Sequence, residues 1–407
     1  MSEEVLSLAD VRAAASRIAD GVVHTPCPLS LVFGDLVPGR LYAKLENLQY
    51  TGSFKGRGAL NKLRQLDAAA RRRGVIAASA GNHAQALAYH AGQLGVATTV
   101  VMPENTPLIK VGNTERHGAR VVQKGHVYEE AAAEAERLCA EADLAMIHPF
   151  NDLQVMAGQG TVGLEIVEQV PDVDLVVVPV GGGGLCSGIA VAVKSLRPQA
   201  RIVGVESAAA PSASASRAAG RVVSIDVADT IAEGIATKQV GDLTFAHIER
   251  WVDELVVVSE EDIAAAILFL LEREKTVTEG AGAAACAALL TGRVPVADAQ
   301  TTVMVLSGGN IDVNVVARVI ERGLVADGRL LHLRVIVHDR PGSLAALTRT
   351  VAELRANVLE ISHRRAFAEI SVGDVEIQVA LETRGRAHAE QIIAALLAQG
   401  LVVEEER

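Results

Sequence analysis

One lysine stands out by its neighbours. In Thr51-Gly52-Ser53-Phe54-Lys55-Gly56-Arg57-Gly58-Ala59 it sits among glycines and small residues at the expected entry to a helix. A lysine in a dry pocket near a helix N-terminus loses stabilisation of its ammonium, so its pKa falls and the amine can form a Schiff base. The plainer alternative is a surface lysine in a turn. A second segment, Val178-Pro179-Val180-Gly181-Gly182-Gly183-Gly184-Leu185, runs from an apolar strand through four glycines into a helix expected from about Cys186. Four residues without side chains let successive N–H groups converge on a phosphate, and the helix dipole adds attraction. No Lys follows as in a nucleotide P-loop, and the glycines do not close the first strand, so nucleotide readings are weak.

Two more segments share this placement after a strand. Ser79-Ala80-Gly81-Asn82-His83 presents small residues, an amide and free N–H groups that suit a carboxylate at a helix start. Ser307-Gly308-Gly309-Asn310 supplies a hydroxyl, a neutral partner that can satisfy a ring nitrogen without protonating it. Each also reads as a simple capping turn, and His83 as a packed helix histidine. Together, a Schiff-base lysine, a phosphate cup, a carboxylate loop and a neutral hydroxyl fit pyridoxal 5′-phosphate.

These segments need elements that bring them to one place. From about residue 41 to 320, β-branched runs at 74–78, 97–101, 119–123, 175–180, 201–205, 255–258 and 302–306 alternate with helical stretches. That rhythm predicts an α/β fold with parallel sheets covered on both faces. Ligands then sit beyond the carboxyl ends of the strands, where all four segments fall. Gly323 and Gly328, without periodicity between them, mark a linker at 324–330. The tail from 331 to 407 reads strand, helix, strand, strand, helix, strand, the ferredoxin-like βαββαβ order.

Composition narrows the classes of function. The 407 residues are 50% hydrophobic and carry a net charge of −11, which excludes disorder and argues against a nucleic-acid partner. Aromatics at 3% leave little for base-stacking platforms. The start Met1-Ser2-Glu3-Glu4 is acidic where a secretory leader would be basic, and no apolar run reaches the ~18 residues of a membrane span. The expectation is a soluble cytoplasmic protein without a membrane partner. Cys27, Cys139, Cys186 and Cys286 are too scattered for a metal knuckle and read as buried reduced thiols.

The run 53–59, with 79–84, His148-Pro149-Phe150-Asn151-Asp152, Gly158-Gln159-Gly160-Thr161, the cup and Ser307-Gly308-Gly309-Asn310, resembles the threonine dehydratases of the fold type II, tryptophan synthase β-like family. The likeness spans roughly residues 10–323. Asp339-Arg340-Pro341-Gly342-Ser343-Leu344 and Asn357-Val358-Leu359-Glu360-Ile361 resemble an ACT domain. The resemblance implies a catalytic domain over 1–323, built of two open parallel-sheet α/β subdomains with the smaller at roughly 50–150, and an ACT-like regulatory domain over 331–407.

It also implies residue roles. Lys55 would hold the cofactor and act as the base for the α-proton, with Phe54 beside the ring. Asn82 would bond the 3′-oxygen, Gly181, Gly182, Gly183, Gly184 and Leu185 the phosphate, and Ser307 the ring nitrogen. Gly234 and Glu279 would border the ring. Ser79, Ala80, Gly81, Asn82 and His83 would line the substrate carboxylate. The implied reaction turns L-threonine, and L-serine, into 2-oxobutyrate or pyruvate and ammonia. Glu206 and Ala210 match a monovalent-cation motif that lacks its Asp, since Ser212 stands there. Asp339, Arg340, Pro341, Gly342 and Asn357 would form an edge for isoleucine or valine, in a homo-oligomer, dimer or tetramer. Serine racemase, hydroxyaspartate dehydratase and a non-catalytic amino-acid sensor are the alternatives. Serine racemases carry Ser where Ala80 stands, and alanine donates no proton.

Overall fold

The computed structural model describes residues 5–365 and 371–406, so the acidic start at 1–4 lies outside them. The chain divides into two compact units after Ile311. The first holds two parallel sheets. The larger runs, in spatial order, Arg40–Leu45, Thr301–Leu306, Leu175–Pro179, Arg201–Ser207 and Glu254–Val258. Its central strands Thr301–Leu306 and Leu175–Pro179 are buried at every position, as expected for strands covered on both faces. The smaller sheet, Arg120–Gln123, Thr98–Met102, Val75–Ala78 and Ala145–Met146, is built from the chain between the first and second strands of the larger one in sequence. It falls within the expected 50–150 span.

The second unit is one antiparallel sheet in the order Asn357–Arg364, Asp374–Glu382, Leu330–His338, Val402–Glu406. Helices Ser343–Glu353 and Arg386–Ala398 complete the expected ferredoxin-like order. Leu330–His338 alternates buried and half-buried residues, the signature of a sheet with one packed face. The linker expected at 324–330 is corrected in part. Val313–Ala326 is a helix capped by Asp312, so 324–326 are its last turn. Val315, Val316, Val319, Ile320 and Leu324 recur at helical spacing, and Gly323 within that stripe does not break it.

Among the described residues no helix is long and apolar enough to cross a membrane. All four cysteines are free thiols; Cys186 and Cys286 are buried, whereas Cys27 and Cys139 are only half-buried.

Candidate active site

Lys55 opens the helix Lys55–Arg64, whose N-cap, Phe54, contributes no side-chain bond. Backbone pairing fixes this start from outside. Ser53 bridges Gly308, the Phe54 N–H donates to the Ser307 carbonyl at 3.1 Å, and the Gly309 N–H donates to the Gly52 carbonyl at 2.8 Å. The lysine segment is thereby stitched to the turn after Thr301–Leu306, and Ser307 is buried beside it. The Lys55 Nζ donates to the Pro149 carbonyl at 3.1 Å and lies 5.2 Å from the Phe54 ring centroid. Burial pushes the Lys55 amine down to about 8, against the opposing pull of the Glu279 carboxylate. The neutral amine a nucleophile needs is therefore far more populated near neutral pH than on an ordinary lysine.

The glycine cup follows Leu175–Pro179 directly. Gly183, with φ of +90°, turns the chain so that the helix starts at Gly184, two residues earlier than expected. Side chains cannot enter the cup. A Cβ on Gly182 would collide with the Phe150 ring, and one on Gly181 would lie 2.8 Å from the Ile235 Cα. The Thr244 hydroxyl donates to the Gly182 carbonyl at 2.7 Å. The first-turn N–H groups of Gly184–Leu196 have no acceptor within their helix, so the cup offers donors to an anion.

Asn82 links the two sheets. Its Nδ2 donates to Glu279 Oε1 at 2.6 Å, and its Oδ1 accepts from Asn310 Nδ2 at 2.7 Å. The Glu279 N–H donates to the Gly308 carbonyl at 3.1 Å. A Cβ on Gly234 would lie 3.5 Å from Glu279 Oε1, so Gly234 and Glu279 share one wall. Burial raises the Glu279 carboxyl to about 7, although the Asn82 amide favours its charge. Hydrogen bonds, ring contact and charge thus bring Phe54, Lys55, Asn82, Glu279 and Ser307 into one neighbourhood.

The substrate loop is more mixed. The Gly81 N–H donates to Ser79 Oγ at 3.3 Å, and Asn82–Gln93 begins there. Ala80 packs against the cluster of Ala84, Ala88, Val100 and Met102. His83 is buried, and its Nε2 bonds the Ile147 carbonyl at 2.9 Å. Burial, then the Lys55 charge, drives its pKa down to about 3, so the ring stays neutral. Its side chain is a packed helix histidine, which leaves the backbone N–H as its contribution to the loop.

The segment His148–Asp152, to which the sequence reading gave no role, is central. Pro149 receives Lys55, Phe150 walls the cup, and His148 Nδ1 accepts from the Asn151 N–H at 2.8 Å. Asn151 Oδ1 accepts from the Leu243 N–H at 3.0 Å, and Asp152 caps Leu153–Gln169 while pairing with Lys62 at 2.6 Å. The sequence signal was its place after Ala145–Met146, a two-residue strand too short to recognise.

Glu206 is buried, with Oε1 accepting from the Ala213 N–H at 2.7 Å and Oε2 from the Ser214 N–H at 2.8 Å, so its carboxylate caps the helix Ser212–Ala219. The Ala210 carbonyl accepts from the Ser212 N–H at 2.9 Å. Each of these oxygens accepts a hydrogen bond and keeps further acceptor capacity. In the second unit Asp339, Arg340, Pro341 and Gly342 line a cavity of about 470 Å³, but Asn357 does not. Asn357 bonds Glu382 at the far end of its strand, and His363 and Arg365 form the wall instead. Six strand residues separate Asn357 from His363, roughly 20 Å, too far to share one pocket.

Residues 18–308 match the family described as "Pyridoxal-phosphate dependent enzyme", and 332–400 match "ACT domain". The chain is 46% identical over 399 residues, 98% of its length and 99% of the relative's, to an L-threonine ammonia-lyase of Thermotoga maritima. It resembles the structure of the processed form of threonine deaminase isoform 2 from Solanum lycopersicum with a TM-score of 0.73, at 36% identity over 77% of this chain and 86% of that one. The structure of maize serine racemase aligns with a TM-score of 0.74, at 34% identity over 79% of this chain and 99% of that one. A cup closed to side chains, a half-buried lysine with a lowered pKa and a buried serine at the next strand end fit such a cofactor. On these matches the chain belongs to the pyridoxal-phosphate dependent enzymes, with an ACT domain behind its catalytic unit.

Proposed function

We propose that this chain is an L-threonine ammonia-lyase, converting L-threonine to 2-oxobutyrate and ammonia and L-serine to pyruvate and ammonia. The observation that carries the reading is that Lys55, the Gly181–Gly184 cup and Ser307 are joined through Pro149-Phe150 and the Phe54 backbone in a chain so similar to a named L-threonine ammonia-lyase. Pyridoxal phosphate, when bound, supplies the electron sink that acidifies the substrate α-carbon. Lys55 Nζ would hold the cofactor and, once freed by the substrate amine, serve as the base that takes the α-proton. The N–H groups of Gly181, Gly182, Gly183, Gly184 and Leu185 would hold the phosphate, Asn82 the ring oxygen and Ser307 the ring nitrogen. Phe54, Gly234 and Glu279 flank the ring. The N–H groups along Ser79–His83 hold the substrate carboxylate. Ser307, a neutral hydroxyl in place of a carboxylate, would leave the ring nitrogen unprotonated and so temper the electron demand the cofactor supplies.

The ACT domain would make the enzyme respond to isoleucine or valine at the Asp339–Gly342 cavity, in a cytoplasmic homo-oligomer. Regulation of this kind requires that the effector bind two states of the enzyme with different affinity. A monovalent cation at Glu206 and Ala210 is not needed by this reading, and turnover unchanged on replacing potassium by tetramethylammonium is the expected result. The purified chain is to be assayed with L-threonine and L-serine for 2-oxo acid, ammonia and D-serine, with and without isoleucine. Release of 2-oxobutyrate with equal ammonia is expected. Accumulation of D-serine, or no turnover of L-threonine, would overturn the assignment.

A further inference from the structure

The Lys55–Arg64 helix is poorly made to hold itself in place. Gly56 and Gly58 lie in its first turns, each about 1 kcal/mol worse than alanine in a helix, and no side chain caps its start. Neither glycine can be replaced freely. A Cβ on Gly56 would lie 2.8 Å from His90 Nε2, and one on Gly58 2.8 Å from the Val155 carbonyl. A weak helix that carries the reactive lysine needs an external anchor.

Arg57 supplies it. Two residues apart on a helix, Lys55 and Arg57 point about 200° apart, so Arg57 enters the protein on the opposite side. It is wholly buried, at 0% exposure, as are Lys44 and Glu46. Its Nε and Nη2 grip Glu46 at 2.8 and 2.7 Å, Nη2 reaches Glu165 at 2.9 Å and the Val23 carbonyl at 3.2 Å, and Nη1 reaches Glu165 and Thr161, the latter at 3.0 Å. Lys44 Nζ closes the set on Glu165, the Thr25 carbonyl at 2.6 Å and Gln169 at 3.4 Å. Two cations face two carboxylates, and every guanidinium N–H has an acceptor. Burial works against the Arg57 charge, but Glu46 and Glu165 more than offset it. Glu46 directly follows Arg40–Leu45, and Glu165 sits on Leu153–Gln169, so the fork ties the lysine helix to a strand and a helix at once.

Buried ion pairs add little net stability, because desolvation consumes most of the attraction. Planar forks, however, fix direction. We propose that Arg57 is a positioning residue: with Glu46, Glu165 and Lys44 it locks the first turn of the Lys55 helix so that Lys55 Nζ is held at the Pro149 carbonyl beside the glycine cup. The functional consequence rests on the cofactor reading above, whereas the clamp itself is measurable without cofactor.

The test uses the full chain with Arg57→Lys and, separately, with Arg57→Met plus Glu46→Gln, which removes one charge of each sign and leaves Lys44 with Glu165. Unchanged circular dichroism and thermal unfolding mark the fold as intact. Competitive acetylation of Lys55 in the cofactor-free chain then reports its titration, and added pyridoxal phosphate reports how fast the visible absorbance of lysine-bound cofactor appears. In the double variant Lys55 is expected to titrate nearer an ordinary lysine, with capture slowed at least about tenfold and Arg57→Lys in between. A folded variant whose Lys55 titration and capture rate match the parent overturns the proposal. Should the double variant not fold, Arg57→Lys alone decides by the same readouts. A parent chain whose Lys55 titrates low but captures no pyridoxal phosphate refutes the cofactor reading, and acetylation alone then judges the clamp.

Discussion

Gly58 and Gly158 meet backbone to backbone: a Cβ on Gly158 would lie 2.6 Å from the Gly58 Cα and 2.6 Å from the Arg57 carbonyl oxygen. At this crossing the helix that opens with Lys55 therefore rests directly on Leu153–Gln169, with no side chain between the two glycines. Gly158→Ala must push the two helices apart against backbone, which no rotamer change relieves. The expected cost is about 1–3 kcal/mol of stability, read from urea unfolding, with slower cofactor capture in the folded fraction. Parent-like stability would show that the contact relaxes freely.

Lys55 must be unprotonated to attack the cofactor aldehyde. Because burial lowers its pKa to about 8, the rate of cofactor uptake should rise with pH through about 8 and then level off. An exposed lysine would keep rising towards its ordinary value near 10.4. Stopped-flow absorbance against pH separates the two. The sign for stability follows from the same shift: between about 8 and 10.4 the unfolded chain binds a proton that the folded chain does not, so this group makes stability increase with pH there. Lys55→Ala should lose the visible absorbance and lower turnover by at least about a hundredfold.

The cup admits no side chain where Phe150 crosses it. Gly182→Ala should weaken pyridoxal phosphate binding by about tenfold or more, about 1.4 kcal/mol per tenfold. If the collision with Phe150 is the cause, Gly182→Ala with Phe150→Ala recovers part of that loss in a fluorescence titration. No recovery would place the cause in the cup backbone instead.

Ser307 is neutral, buried and next to the lysine segment through the Phe54 N–H. On the proposed assignment of Ser307 to the ring nitrogen, Ser307→Asp would put a carboxylate there and strengthen the electron sink. The ratio of 2-oxobutyrate formed to cofactor converted to its amine form should fall. An unchanged ratio would show that the residue at this position does not set the outcome.

Much of the site was legible before the fold was known, because its chemistry is local. The glycines 181–184, Asn82 and Ser307 each follow a β-branched run, and parallel strands point all their carboxyl ends towards one edge, while Lys55 stood out by its glycine neighbours. The tail was equally readable from its strand and helix order, since period-2 and period-3.6 patterns are written in neighbouring residues. The boundary near 324 was misread because Gly323 carries only a weak helix penalty, and the packing of Val319 outweighs it.

Pairing across long separations decided the rest. Ser53 meets Gly308, Phe150 walls a cup some thirty residues downstream of it in the chain, and Arg57 finds Glu165 on another helix. None of these leaves a periodic signal. Asn357 and Asp339 lie near each other in sequence, yet strand rise carries Asn357 to the far end of its strand, away from the Asp339 cavity. Residue types and local spacing thus determined which reactive groups this chain owns and on which strand ends they sit. Sheet register, helix contact and burial decided which of them meet, because those depend on the whole chain excluding water and satisfying its buried polar groups at once.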